Sequence, residues 1–274
     1  MEKKNFLRTP QTPFNLFPLL FDFLLLGCEP EAVVENESTQ ADLTLTKAKD
    51  KAEKLTTYKG PAVSFYKGVA QAMVTMNHEG EPHSIGYRFS ERSLDNLPMH
   101  MDEITLELPG QAKGLAFDHI DVGWNPEGHF PPGIYDVPHF DIHFYIISHE
   151  EKMNINDDVK AAILPPAQYI PPFYIPTDGY ELYMGKHWVN VTSPEFQGGS
   201  FTHTFIYGSY DGEFIFYEPM ITLDFFMEKT DGQYPIIQPE NFQRTGYYYP
   251  TIYSINYDET KKEYTVLLEG MVLR

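Results

Sequence analysis

The chain has 274 residues, 39 acidic and 20 basic, for a formal charge of −19. Apolar residues make up 42% and aromatics 15%, enough for a hydrophobic core, which excludes a wholly disordered chain. So acidic a surface repels phosphate backbones, and no nucleic-acid partner is expected. The one cysteine, Cys28, excludes an internal disulfide framework and any Cys-rich zinc or iron–sulfur site.

Residues 1–27 have the form of a secretory signal. Lys3, Lys4 and Arg8 make a basic head, and an apolar run over 14–26, interrupted by Asp22, ends in Leu25-Leu26-Gly27-Cys28. A small residue directly before the cysteine resembles the bacterial lipoprotein signal box, in which the cysteine is lipidated and becomes the new N-terminus. The apolar run is shorter than the ~20 residues a membrane-spanning helix needs, so the mature chain is expected to be anchored in the cell envelope and not embedded. Glu29 and Pro30 follow Cys28, with no aspartate directly after it, which in a Gram-negative cell favours the outer membrane. Removal of 1–27 takes away three basic and two acidic residues and leaves −20, so contact with the membrane is expected through the lipid only.

Residues 28–56 read as a flexible acidic tether carrying Glu29, Glu31, Glu35 and Glu37, with Lys and Ala at helical spacing over 41–56 predicting one short helix. From 57 to 274 the pattern is that of a single β-rich domain. Short apolar-alternating runs over 62–76, 84–89, 104–108, 140–148, 187–191, 201–207, 213–217 and 264–268 are separated by turn signals such as Pro109-Gly110 and Tyr210-Asp211-Gly212-Glu213, the latter a hairpin turn. Helices are expected only within 151–163 and 219–228. With 22 prolines and 19 glycines, the fold class is mainly β, an antiparallel barrel or sandwich with a few short helices. Tyr247-Tyr248-Tyr249 reads as a packing edge.

Ten histidines carry the functional signal. In Pro138-His139-Phe140-Asp141-Ile142-His143, strand alternation puts His139, Asp141 and His143 on one face and Phe140, Ile142 and Phe144 on the other. Such polar groups are costly to bury without partners, so that face is wet or lines a site. Residues four apart on a strand are separated by roughly 13 Å, too far for His139 and His143 to share an ion through ~2.1 Å bonds unless the strand bulges. A regular strand therefore offers His139 with Asp141, or Asp141 with His143. The remaining ligands must come from elsewhere: His187, Glu218, and additionally His129 or His203. The candidate metal set is thus His139, His143, His187 and Glu218, with Asp141 as ligand or as orienter of an imidazole. Several imidazoles with one carboxylate suit a divalent transition metal (Zn, Mn, Fe or Cu) better than Ca or Mg. The competing reading is a structural hydrogen-bond network of the same residues. Thiol catalysis, a Gly-x-Ser-x-Gly hydrolase elbow and phosphate-binding glycine loops have no support.

Four blocks resemble the TTHB-type family, bacterial and usually secreted domains of unknown function. They are Trp124-Asn125-Pro126-Glu127-Gly128-His129; Pro138-His139-Phe140-Asp141-Ile142-His143-Phe144-Tyr145; Met184-Gly185-Lys186-His187-Trp188; and Phe201-Thr202-His203-Thr204-Phe205 onward through Glu218-Pro219-Met220. The resemblance implies a β-rich fold and leaves a homo-oligomer open, but names no reaction. Lys186 places a charge next to His187, which would repel an ion if turned inward. Two functions follow as expectations: a lipid-anchored envelope domain with a His/carboxylate metal site, or a non-enzymatic envelope binding or assembly lipoprotein.

Overall fold

The computed structural model describes residues 54–274. Cys28, the signal segment and nearly all of the tether with its expected helix lie outside the described residues. No helix among the described residues is long and apolar enough to cross a membrane.

In chain order the strands are β1 (Thr56–Phe65), β2 (Gly68–Met76), β3 (Pro82–Ser90), β4 (Asp102–Glu107), β5 (His119–Asn125), β6 (His139–Tyr145), β7 (Tyr174–Pro176), β8 (Lys186–Asn190), β9 (His203–Tyr210), β10 (Glu213–Thr222), β11 (Gly232–Pro235), β12 (Tyr248–Tyr249), β13 (Ile252–Asp258), β14 (Glu263–Glu269) and β15 (Val272–Leu273). Three short helices, α1 (His149–Met153), α2 (Asp158–Ala161) and α3 (Leu223–Glu228), interrupt them. All strand pairs are antiparallel. One sheet has the order β1-β2-β3-β14-β13-β11, the other β4-β5-β6-β10-β9-β8-β7, and β12 pairs with β15. Neither large sheet closes on itself, so of the two architectures expected the sandwich is the one formed.

The two sheets follow different rules of burial, and the difference creates the site. In β14, Tyr264, Val266 and Leu268 are buried while the alternate residues are partly open, the pattern of a strand with one wet face. In β6 every residue from His139 to Tyr145 is buried. Its inner residues Phe140, Ile142 and Phe144 join the core between the sheets, with Phe140 against Trp124 (ring centroids 4.7 Å apart), Phe226 (5.7 Å) and Phe65 (6.1 Å). Its outer residues are covered as well. Two smaller apolar clusters lie on that outer face: Tyr135, Val189, Phe201, Ile206 and Met220 on one side, and Tyr145, Ile147, Ile155, Ile215 and Phe216 on the other. The polar side chains of β6 are therefore enclosed between two apolar patches.

Several expected elements are refined. The run 62–76 is two strands joined at Tyr66-Lys67, where Tyr66 takes a positive φ of 52°. The region 151–163 holds α1 and α2, each capped at its start: Ser148 makes a capping box with Glu151, and the Asp157 side chain accepts from the backbone of Val159 and Lys160. Residues 219–222, expected to be helical, continue β10, and α3 begins only after Thr222, whose hydroxyl accepts from the Phe225 backbone N–H. The 210–213 hairpin forms as read, with Asp211 (φ 53°) and Gly212 (φ 80°) both in the left-handed region. In the tyrosine run, Tyr249 is buried against Phe242 (4.5 Å) and Tyr248 pairs with Leu273. Outer strands carry prolines: Pro61 at a bulge in β1, Pro176 in β7 and Pro235 in β11. The remaining outer strand, β4, is acidic at Asp102, Glu103 and Glu107.

Candidate functional site

Register brings the polar residues together. Asp121, Gly123 and Asn125 of β5 face His143, Asp141 and His139 of β6. On the other side Met220 of β10 pairs with Asp141 and Tyr217 with Phe144, which sets Glu218 beside His143 on the outer face. His187 of β8 pairs with Gly208 of β9, and Glu218 with Ile206, so His187 projects toward the same face. Gly208 has no side chain to intervene, and the His143 and His187 rings stand 6.4 Å apart.

The fold distributes the candidate ligands over two groups. His143, His187 and Glu218 form one; His129, His139 and Asp141 form the other; within each, the ligand atoms lie within 4.8 Å of one another. Strand geometry separates His139 from His143, and Asp141 goes with His139. His203 joins neither. It is on the opposite face of β9, packed on Tyr234 and Phe225, with its Nδ1 2.8 Å from the Tyr253 hydroxyl. Lys186 alternates away from His187 and donates through Nζ to the carbonyls of Gly179 (2.6 Å) and Thr177 (3.0 Å), so its charge is not aimed at the ligand group.

In the first group, His143 Nε2 lies 3.4 Å and His187 Nε2 3.8 Å from Glu218 Oε2. Two donors bound at ~2.1 Å to a tetrahedral ion lie about 3.4 Å apart. Among the described residues neither His143 Nε2 nor Glu218 Oε2 has a hydrogen-bond partner, and both atoms are buried. An unsatisfied buried polar atom costs ~1–3 kcal/mol. Burial lowers His143 and takes His187 down to about 3, with His143 adding to the latter. Burial and then the charge of Asp141 raise Glu218 well above the usual carboxylate range. Burial thus disfavours the charged form of all three groups, and among the described residues no lysine or arginine is paired with Glu218.

In the second group, His129 Nε2 lies 3.3 Å from Asp141 Oδ2 and His139 Nε2 3.1 Å from Asp141 Oδ1. Burial opposes charge on Asp141, but His139 and His129 hold it well below its ordinary value; burial likewise opposes protonation of His129, yet Asp141 raises it to about 9. This group therefore contains an ion pair of its own.

Around these groups is a polar row that the sequence reading did not single out. Lys152, buried, donates to Asp121 and, at 2.8 Å, to Glu103; Asp121 also accepts from the Thr105 hydroxyl at 2.6 Å. Asn125 donates to Asp141 Oδ2 at 2.7 Å. Tyr145, whose hydroxyl is buried without a partner, is stacked between the His119 and His143 rings at 4.9 and 5.6 Å. A signal for Asp121 and Asn125 was present: β5 alternates apolar Ile120, Val122 and Trp124 with polar His119, Asp121 and Asn125, as β6 does.

A divalent ion held by three protein donors would supply water activation or polarisation of a carbonyl or phosphoryl oxygen at a fourth position. No curated protein and no solved structure matches the chain. A family model does: residues 77–124, which include Asp121 and end at Trp124 but precede both donor groups, match the TTHB210-like family, described as hypothetical protein TTHB210, in accord with a TTHB-type domain of unknown function.

Proposed function

We propose that this chain is a lipid-anchored protein of the bacterial cell envelope whose β-sandwich binds a divalent transition ion through His143, His187 and Glu218. The observation that carries the metal reading is the pair of buried, partnerless atoms, His143 Nε2 and Glu218 Oε2, converging with His187 Nε2 at ligand-like spacing. A hydrogen-bond network would have used those atoms. Lys3-Lys4, the apolar run and Gly27-Cys28 support anchoring, with the outer membrane favoured in a Gram-negative cell.

Protein purified without chelator should carry Zn, Mn, Fe or Cu near one equivalent or more, and adding the preferred ion should raise Tm. Less than about a tenth of an equivalent, with no thermal shift from any of the four, ends the metal reading. Cys28→Ala should move the protein from the membrane to the soluble fraction; retention at the membrane ends the anchoring reading.

The ion pair of His129 with Asp141 favours a second reading, an envelope assembly module in which the polar face only stiffens the sheet. It predicts a stable self-associated species by light scattering, unaffected by chelator.

A further inference from the structure

Beside the ligand group just proposed lies a second one, and we infer that His129, His139 and Asp141 bind a second divalent transition ion, so that the outer face carries a two-ion centre. The inference rests on the reading above but has its own observations.

The first is the state of the rings. His139 Nδ1 lies 2.7 Å from the Val137 carbonyl oxygen and His129 Nδ1 2.8 Å from that of Phe130. A carbonyl only accepts, so each Nδ1 carries the proton and donates it. In the neutral ring Nε2 then holds the lone pair, and in both residues Nε2 is the atom aimed at Asp141. The second is the state of the carboxylate. The Asn125 amide occupies Oδ2, while Oδ1 is buried and unpartnered, as is His139 Nε2 only 3.1 Å from it. An ion pair of His129 with Asp141 leaves both of those atoms unsatisfied; an ion between the three satisfies them. The third is the loop that delivers His129. Gly128 takes φ 73°, and a Cβ there would sit 2.1 Å from the Tyr135 carbonyl oxygen, to which the His129 N–H donates at 3.1 Å. That close fold fixes where the ring points.

The two groups are neighbours because Asp141 and His143 are two residues apart on one face of β6, anchors about 6.6 Å apart by the strand repeat. They differ in access. The His143, Glu218 and His187 side chains are 1%, 2% and 17% exposed, whereas that of His129 is 34% exposed. The first ion is the more enclosed of the two. The second has a solvent-facing position for water or an oxygen of a small ligand, and is the exchangeable ion of the pair.

Titration of the metal-free full chain with Mn(II), followed by bound-metal analysis and electron paramagnetic resonance, tests this. The expected result is two equivalents per chain, with a spectrum broadened by dipolar coupling between neighbouring ions. His129→Ala, on a partly open loop, should leave one equivalent with a single-ion spectrum, and Asp141→Asn, which keeps the side-chain shape, should do the same. Saturation of the wild type at one equivalent, or two equivalents retained in both variants, overturns the two-ion centre. One equivalent that survives His129→Ala and is lost in Glu218→Gln overturns only this inference. No binding at all overturns the metal reading with it.

Discussion

Glu218 sits in the middle of β10, buried, and among the described residues no donor reaches its Oε2. A glutamine has the same shape and carries no charge to be desolvated. Glu218→Gln should therefore keep the metal-free protein within about 1 kcal/mol of wild-type stability, while removing the part of the metal-induced rise in Tm that the enclosed ion produces; paired thermal melts with and without metal check both halves. His203 supplies a part of the pH dependence that is separate from the lowered His143 and His187. Burial among Phe225, Tyr234 and Tyr253 lowers it from 6.5 to about 4. Between those values the unfolded chain binds the extra proton and the folded one does not, so stability falls as pH drops through this window. His203→Phe should shrink the loss of denaturant midpoint between pH 7 and pH 5; an unchanged loss would mean that other groups carry it.

At the scale of the element, β6 was legible because one strand displays both of its faces in consecutive letters: Phe140, Ile142 and Phe144 declare the core, and the residues between them declare something else. Its partners were not legible in the same way. Which of His129, His187, His203 and Glu218 meets which end of β6 depends on pairing between strands far apart in sequence, and a shift of one residue in β9 would have sent His203 to the outer face. Lys186 illustrates the same point, since alternation along β8 alone decides that its charge turns away. Helix signals failed at 219–222 because residues that will cap or extend a strand are not distinguished by composition from those that enter a helix. Gly208 tests how tightly neighbouring strands set the site. A Cβ there would lie 2.0 Å from the ring of Phe216, which is 4.8 Å from His143 and 5.4 Å from His187. Gly208→Ala should cost about 1–3 kcal/mol and weaken binding of the enclosed ion by roughly tenfold, measured by denaturation and by metal competition.

For the whole molecule, the division of the seven-stranded sheet into a core face and a polar face makes the two separable. Phe140→Ala removes the ring that meets Trp124, Phe65 and Phe226. It should cost about 3–5 kcal/mol, a drop in Tm on the order of 10 °C, while metal stoichiometry measured well below the new Tm stays unchanged, because the ligands project the other way. The mainly β class was readable from strand spacing and turn residues; the choice of an open sandwich over a closed barrel, and the placement of the polar row, depend on pairing between strands far apart in sequence. The outer strands have a consequence of their own. Pro61, Pro176 and Pro235 withdraw an amide donor from three of the four rims, and β4 presents carboxylates on the fourth. Copies crowded on a two-dimensional surface collide rim to rim far more often than in dilute solution, and a rim lacking its donor cannot template a continuous ribbon with its neighbour. The border residues thus guard against fibre growth under the crowding that a lipid tether would impose.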